Sequence, residues 1–227
     1  MRPRLDLLVQ IVQRDSTTPC LQESLHVVLG VPPPGGEAGE PLAVRGGLRI
    51  LPPGTRFFSA ALTMRDLPLW DRVGRALRRS RWNACAVDAL AGADLVFMDP
   101  DNGLAGKSAS QTGKDGPKYV FPDELVPYIR RGQSLVVYHH QTREKGGLTQ
   151  QIENKAAMLR GIGASRVWAF VFRRFSVRVY FLIPAPAHAA LLAERSRRFI
   201  DATLWGRRGH FEMRGIGARR AAGTSPL

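Results

Sequence analysis

Residues 93–103, ADLVFMDPDNG, constrain this chain more than any other stretch. Leu95, Val96, Phe97 and Met98 form a short uninterrupted apolar run, the pattern of a strand covered on both faces in a parallel sheet. Asp99-Pro100-Asp101-Asn102-Gly103 then stops it. Proline has no N–H to give a ladder, and Asp, Asn and Gly favour tight turns. In an open α/β sheet, ligands bind beyond the carboxyl ends of the strands, so this loop sets two carboxylates and an amide where a site is expected. The same residues are also plain turn chemistry. What favours the functional reading is that the design recurs after the next strand.

That recurrence is residues 134–140, SLVVYHH. Leu135, Val136 and Val137 are the buried run, and Tyr138, His139 and His140 come at its carboxyl end, followed by Gln141, Thr142 and Arg143. Adjacent parallel strands would bring Asp99, Asp101, Asn102, His139 and His140 to one rim. Successive residues of a strand point to opposite faces, so only one of the two histidines aims into a given site.

The rest of the chain is read around this pair. Residues 5–12 carry apolar residues on one helical face, and 25–29 (LHVVL) read as a short strand before a proline-rich loop at 30–39. Three consecutive prolines there remove the N–H groups that a phosphate cradle needs, and no GxGxxG is present. Residues 48–52 (LRILP) and 56–62 (RFFSAAL) read as a strand and the start of another element. Residues 68–80 predict a helix with Leu69, Trp70, Val73 and Leu77 as its buried stripe and its arginines on solvent faces. Residues 107–118 (KSASQTGKDGPK) are too polar to pack and read as a mobile flap over the strand end. A short helix is expected at 122–131, with Leu125, Tyr128 and Ile129 inward and Gly132 as its stop. A longer helix follows at 148–161, then strands at 166–172 and 177–183 joined by a four-residue turn, and a last helix at about 187–200. The tail from 205 to 227 is basic and glycine-rich, with disorder expected beyond Met213.

Charge narrows the partners. Lys plus Arg number 33 against 19 acids, a net charge of +14. That balance favours a polyanion, most simply nucleic acid, although a genome that writes Arg for Lys leaves the same trace. No apolar run spans a bilayer and no signal-peptide pattern is seen, so no membrane association is expected. Cys20 and Cys85 lie far apart without metal-ligand spacing, which makes a reduced, cytoplasmic setting the default.

A parallel α/β sheet whose last strands form a hairpin is the arrangement of class I S-adenosylmethionine-dependent methyltransferases. LVFMDPDNGL, KYVFPDEL and GQSLVVYHHQTR resemble a family of uncharacterised bacterial proteins with the same D-P-D-N-G and Y-H-H pattern. More distantly, their order is similar to that of the ribosomal-RNA adenine-N6 methyltransferases, over roughly residues 80–200. In those an Asp-Pro-Pro-aromatic loop precedes a Trp-Tyr-Pro strand, a helix and a closing hairpin. The resemblance implies a Rossmann-like, mainly parallel twisted sheet with a terminal antiparallel hairpin. It also implies a poorly defined N-terminal part (1–66), a methyltransferase-like core (67–204) and a basic tail (205–227).

By the same resemblance Asp99 and Pro100 match the catalytic loop. The acid there accepts a hydrogen bond from the target amine and so holds its lone pair toward the methyl sulfonium, catalysis by positioning. Asp101 stands where the second Pro would be and Asn102 where an aromatic would stack on a flipped base. Lys118, Tyr119, Tyr138, His139, His140 and Arg143 are the substrate-binding candidates, with Tyr119 or Tyr138 as the stacking ring. S-Adenosylmethionine is the implied cofactor, although no glycine-rich cofactor loop or ribose-binding acid is recognisable in residues 1–66. Two other classes stay open. A metal-dependent hydrolase or nuclease would use Asp99, Asp101 and His139 or His140 as ligands, but without any compact metal motif. A non-enzymatic nucleic-acid-binding protein would keep the charge and the fold alone.

Overall fold

The computed structural model describes residues 7–10, 55–58, 60–142 and 145–216. The expected elements at 25–29, 30–39 and 48–52 lie outside these residues, as do Arg143 and everything beyond 216. In chain order the elements are β1 (Leu7–Gln10), β2 (Phe57–Phe58), α1 (Arg72–Ala89), β3 (Leu95–Met98), β4 (Gly103–Leu104) and β5 (Tyr119–Val120). They continue with α2 (Pro122–Arg130), β6 (Ser134–His140), α3 (Gly147–Gly161), β7 (Val167–Arg174) and β8 (Ser176–Ile183). The last are α4 (Ala189–Ala202), α5 (Leu204–Arg207) and β9 (Phe211–Ile216).

The protein is α/β, built on one mixed sheet. Among the described residues the sheet has seven strands in the order β2-β1-β3-β6-β8-β7-β9. The first four run parallel, with Leu95–Met98 registered on Ser134–Val137. The remaining pairings are antiparallel, β8 returning between β6 and β7 and β9 adding at the edge. The expectation of a mainly parallel sheet is therefore corrected. The hairpin strands have 8 residues each, while β1 and β3 have 4 and β2 only 2, so antiparallel pairs predominate. Residues 5–12 were expected as a helix, but Leu7–Gln10 pairs with both β2 and β3 as a central strand. Sheet pairing overrides the helix-like spacing there. The tail is also more ordered than expected, since β9 carries it along β7 as far as Ile216.

Helices cover both faces. Val87 of α1, Leu125 and Tyr128 of α2, and Ile152, Ala156 and Leu159 of α3 pack on Val96, Met98, Leu135 and Val137. On the other face Phe199 and Ile200 of α4 and Trp205 of α5 join an aromatic cluster of Phe97, Tyr138, Phe172, Tyr180 and Phe211. The α2 helix ends as expected, with Gly132 at φ 73° and the N–H of Gln133 reaching back to the carbonyl of Tyr128 at 3.1 Å.

Helix α1 presents the opposite face from the one its apolar spacing predicts. The helix begins at Arg72, so Leu69 and Trp70 (82% exposed) precede it, and on the helix Val73 (80%) and Leu77 are exposed while Arg75 and Arg79 are buried at 3% and 2%. The reason lies in residues 107–118. This polar segment buries carbonyl oxygens that need donors, and a guanidinium supplies five N–H groups. Arg75 donates to the carbonyls of Thr112 (2.6 Å) and Gly113 (3.0 Å), and Arg79 to those of Gly116 and Tyr119 (both 2.8 Å). Arg79 also forms a bidentate, buried pair with Glu124 at 2.6 and 2.8 Å. The segment expected as a mobile flap is thus fastened to α1 and α2 by two arginines.

Candidate functional site

Both polar strand ends lie at the same edge of the sheet, but their side chains divide between its two faces. His139 belongs to the face of Leu135 and Val137. Its ring lies 5.9 Å from that of Phe181, and it is 2% exposed. Neither ring nitrogen has a hydrogen-bond partner. Burial, and secondarily the nearby Lys155 and His140, lower its pKa to about 3, so the ring is neutral at ordinary pH. Lys155 of α3 is itself buried and donates to the carbonyls of Leu104 (3.0 Å) and Ala105 (3.1 Å), tying β4 down beside His139.

Asp99 goes the other way, into the face of Phe97. Tyr180 lies opposite Tyr138 in the β6–β8 register, and the two rings meet edge to face at 5.7 Å. The Tyr180 hydroxyl is buried without a hydrogen-bond partner. Its pKa is raised by burial first, then by Tyr138 and by the carboxylate of Asp99. Two residues on from Tyr138, the Nδ1 of His140 lies 3.4 Å from the Tyr138 hydroxyl. His140 pairs across the strands with Arg178, and its pKa is lowered by burial and then by that cation. Asp99, Tyr138, Tyr180, His140 and Arg178 therefore form one polar group at the carboxyl ends of β3 and β6. Asp99 and His140 are half-buried at the rim, whereas Tyr138, Tyr180 and Arg178 are enclosed behind them. The two rim groups are the ones a polar ligand could reach.

The other expected site residues stand apart from this group. Pro100 and Tyr119 line a crevice on the α1 side, with Arg79, Trp82 and Glu124. At about 10 Å³ it has room for a single water. Tyr119 packs edge-on against Phe121, 6.5 Å between ring centres, so it does not reach the Asp99 face. Asp101 turns toward Lys118, whose pKa is raised first by the 2.9 Å pair with Asp115 and, more weakly, by Asp101. Asn102 is fixed through its backbone, its N–H donating to the Lys118 carbonyl at 2.9 Å. Tyr138 is 2% exposed, too enclosed to be an open stacking surface. Of the expected rim residues, His140 and Tyr138 share the face of Asp99, while His139 lies on the other face. Alternation along β6 is the physical reason. Tyr180 and Arg178 were missed. Their signal is a basic and a phenolic residue at alternate positions of the otherwise apolar strand SVRVYFLI.

No protein-family model matches the chain, and no curated protein and no solved structure matches it either. Its function is therefore argued from this geometry.

Proposed function

We propose that the protein is an S-adenosylmethionine-dependent methyltransferase acting on an exocyclic amine of a nucleic-acid base. The observation that carries this reading is Asp99, held at the end of a buried strand beside the enclosed phenol of Tyr180 and the Tyr138–His140 pair. A carboxylate so placed can accept a hydrogen bond from an amine N–H, which fixes the nitrogen lone pair in one direction. Half-buried His140, whose pKa burial lowers, offers a polar partner for the ring edge beside that amine, with Tyr138 and Tyr180 packed behind it. The parallel strands closed by the β7–β8 hairpin are in keeping with the class I arrangement. The cofactor, when bound, supplies the electrophilic methyl group. The described residues offer the amine half of such a site, and the sequence of residues 1–66 carries no recognisable glycine-rich cofactor loop.

The metal-hydrolase reading loses its ligand set in this arrangement. Asp101 lies by Lys118 and His139 is on the other face, so of the expected ligands only His140 shares a face with Asp99, and among the described residues no three His, Cys, Asp or Glu are grouped to hold an ion. Titration calorimetry with S-adenosylhomocysteine and, separately, Mn²⁺ tests the assignment. Saturable binding of the nucleoside and none of the metal is expected. A failure to bind S-adenosylhomocysteine at millimolar concentration would overturn it and leave a nucleic-acid-binding protein.

A further inference from the structure

Phe175 sits alone at the turn between β7 and β8, where Arg174 and Ser176 are already paired partners. The four-residue turn expected from the sequence is thereby reduced to a single residue. Its φ of 63° places a bulky aromatic in the left-handed region, and it is the one non-glycine residue there among the described residues. Glycine would adopt that conformation without strain, and asparagine more readily than phenylalanine. Packing does not explain the choice either, because Phe175 is 88% exposed. A strained backbone carrying an uncovered aromatic is a feature that folding alone disfavours twice, and such features collect at ligand contacts.

Its surroundings indicate the ligand. The guanidinium of Arg174 lies 5.2 Å over the Phe175 ring and 5.7 Å over that of Trp205, and Trp205 in turn lies 5.7 Å from His210. This makes a rail of two aromatic rings with one guanidinium between them and the His210 ring at its end. Arg207 and Arg208 are exposed beside it, and Arg173 donates to Glu212 at 3.0 Å while Glu212 also pairs with Arg214. One carboxylate thus answers two of the five arginines in this region. The rail stands at the same edge as Asp99 and His140, since Arg178 pairs with His140 and the N–H of Gln141 reaches the carbonyl of Val177. Aromatic faces interleaved with guanidinium groups are how proteins grip unpaired bases and their phosphates without reading sequence.

We infer that the β7–β8 tip is a stacking finger for single-stranded nucleic acid, with Phe175 as the stacking ring and Arg174 as its cationic neighbour. This rests on the nucleic-acid partner proposed above and narrows it to unpaired strands, whose bases are free to stack. A duplex hides those faces.

Fluorescence anisotropy with a labelled single-stranded oligonucleotide, and with the blunt duplex of the same sequence, tests the finger. Wild-type protein should prefer the single strand. Phe175→Gly should weaken that binding about 5- to 160-fold, the range of one lost base–aromatic stack, and leave the salt dependence unchanged. Its thermal midpoint should hold or rise, because glycine relieves the left-handed strain; a merely structural Phe175 would not separate stability from binding in this way. Phe175→Trp should bind at least as well as wild type. Wild-type affinity in Phe175→Gly would overturn the finger while leaving the Asp99 site standing. Absence of any oligonucleotide binding by the wild type would overturn the nucleic-acid partner and the finger together. Loss of self-association in Phe175→Gly, with oligonucleotide affinity unchanged, would assign the tip to a second copy of the chain and overturn the finger.

Discussion

The imidazole of His139 lies so close over Gly103 that a Cβ there would stand 2.5 Å from its Nδ1 and 2.6 Å from its Cα. The glycine ends the D-P-D-N-G loop at φ 90° and opens β4, so the loop can lie flat on β6 only because residue 103 has no side chain. Gly103→Ala should therefore destabilise the protein. The left-handed backbone alone costs about 1–2 kcal/mol, and the contact with the His139 backbone cannot be relieved by a rotamer change. Urea denaturation checks this. Wild-type stability in the variant would show that the loop does not rest on β6 as described.

His139 should make the fold sensitive to mild acid. Burial holds its pKa at about 3, whereas in the unfolded chain it is near the ordinary 6.5. Below that ordinary value the unfolded chain takes up a proton that the native state refuses. Stability is thus full above about pH 6.5 and falls as the pH drops toward 3, with a slope approaching 1.4 kcal/mol per pH unit. His140, lowered in the same direction, adds to the same trend. Denaturation curves of wild type and His139→Gln between pH 7 and pH 4 isolate the effect, since the carboxylates are common to both. The variant should show a shallower loss. Parallel profiles would contradict a buried, neutral His139.

The Arg79–Glu124 pair should fasten the 107–118 segment. Both side chains are enclosed, and Glu124 also accepts the N–H of Phe121 at 2.8 Å to cap α2. Glu124→Ala leaves a buried guanidinium without its carboxylate, a change that costs about 3–5 kcal/mol in such settings. Limited digestion with trypsin should then cut faster at Lys114 and Lys118, which are exposed within that segment. Unaltered digestion would mean that Arg75 alone holds it.

How much of this was legible depended on whether a residue's role was set locally. The strands at 95–98 and 134–140 and the α2 stop at Gly132 follow from short-range patterns and are found where the sequence places them, and the β7–β8 hairpin is found with a tighter turn than expected. Helix α1 was read inside out because its burial is decided by carbonyls about 40 residues away, which Arg75 and Arg79 satisfy. No periodicity carries that information. The site was half legible. Alternation alone limited the two histidines to one per face, but pairing Tyr180 with Tyr138 and Arg178 with His140 required the hairpin's register. β1 resembled a helix because only four of its residues pair, and nothing local marks them as central.

The central claim is that Asp99 orients an amine for methyl transfer, and it is tested by following labelled methyl groups from S-adenosylmethionine into single-stranded oligonucleotides. Wild-type protein should transfer them. Asp99→Ala should abolish transfer with the circular dichroism spectrum unchanged, because a half-buried rim residue contributes little packing. Asp99→Asn should retain part of the rate, since its amide oxygen still accepts the amine hydrogen bond. Transfer by Asp99→Ala at the wild-type rate, or none by the wild type itself, would contradict the account.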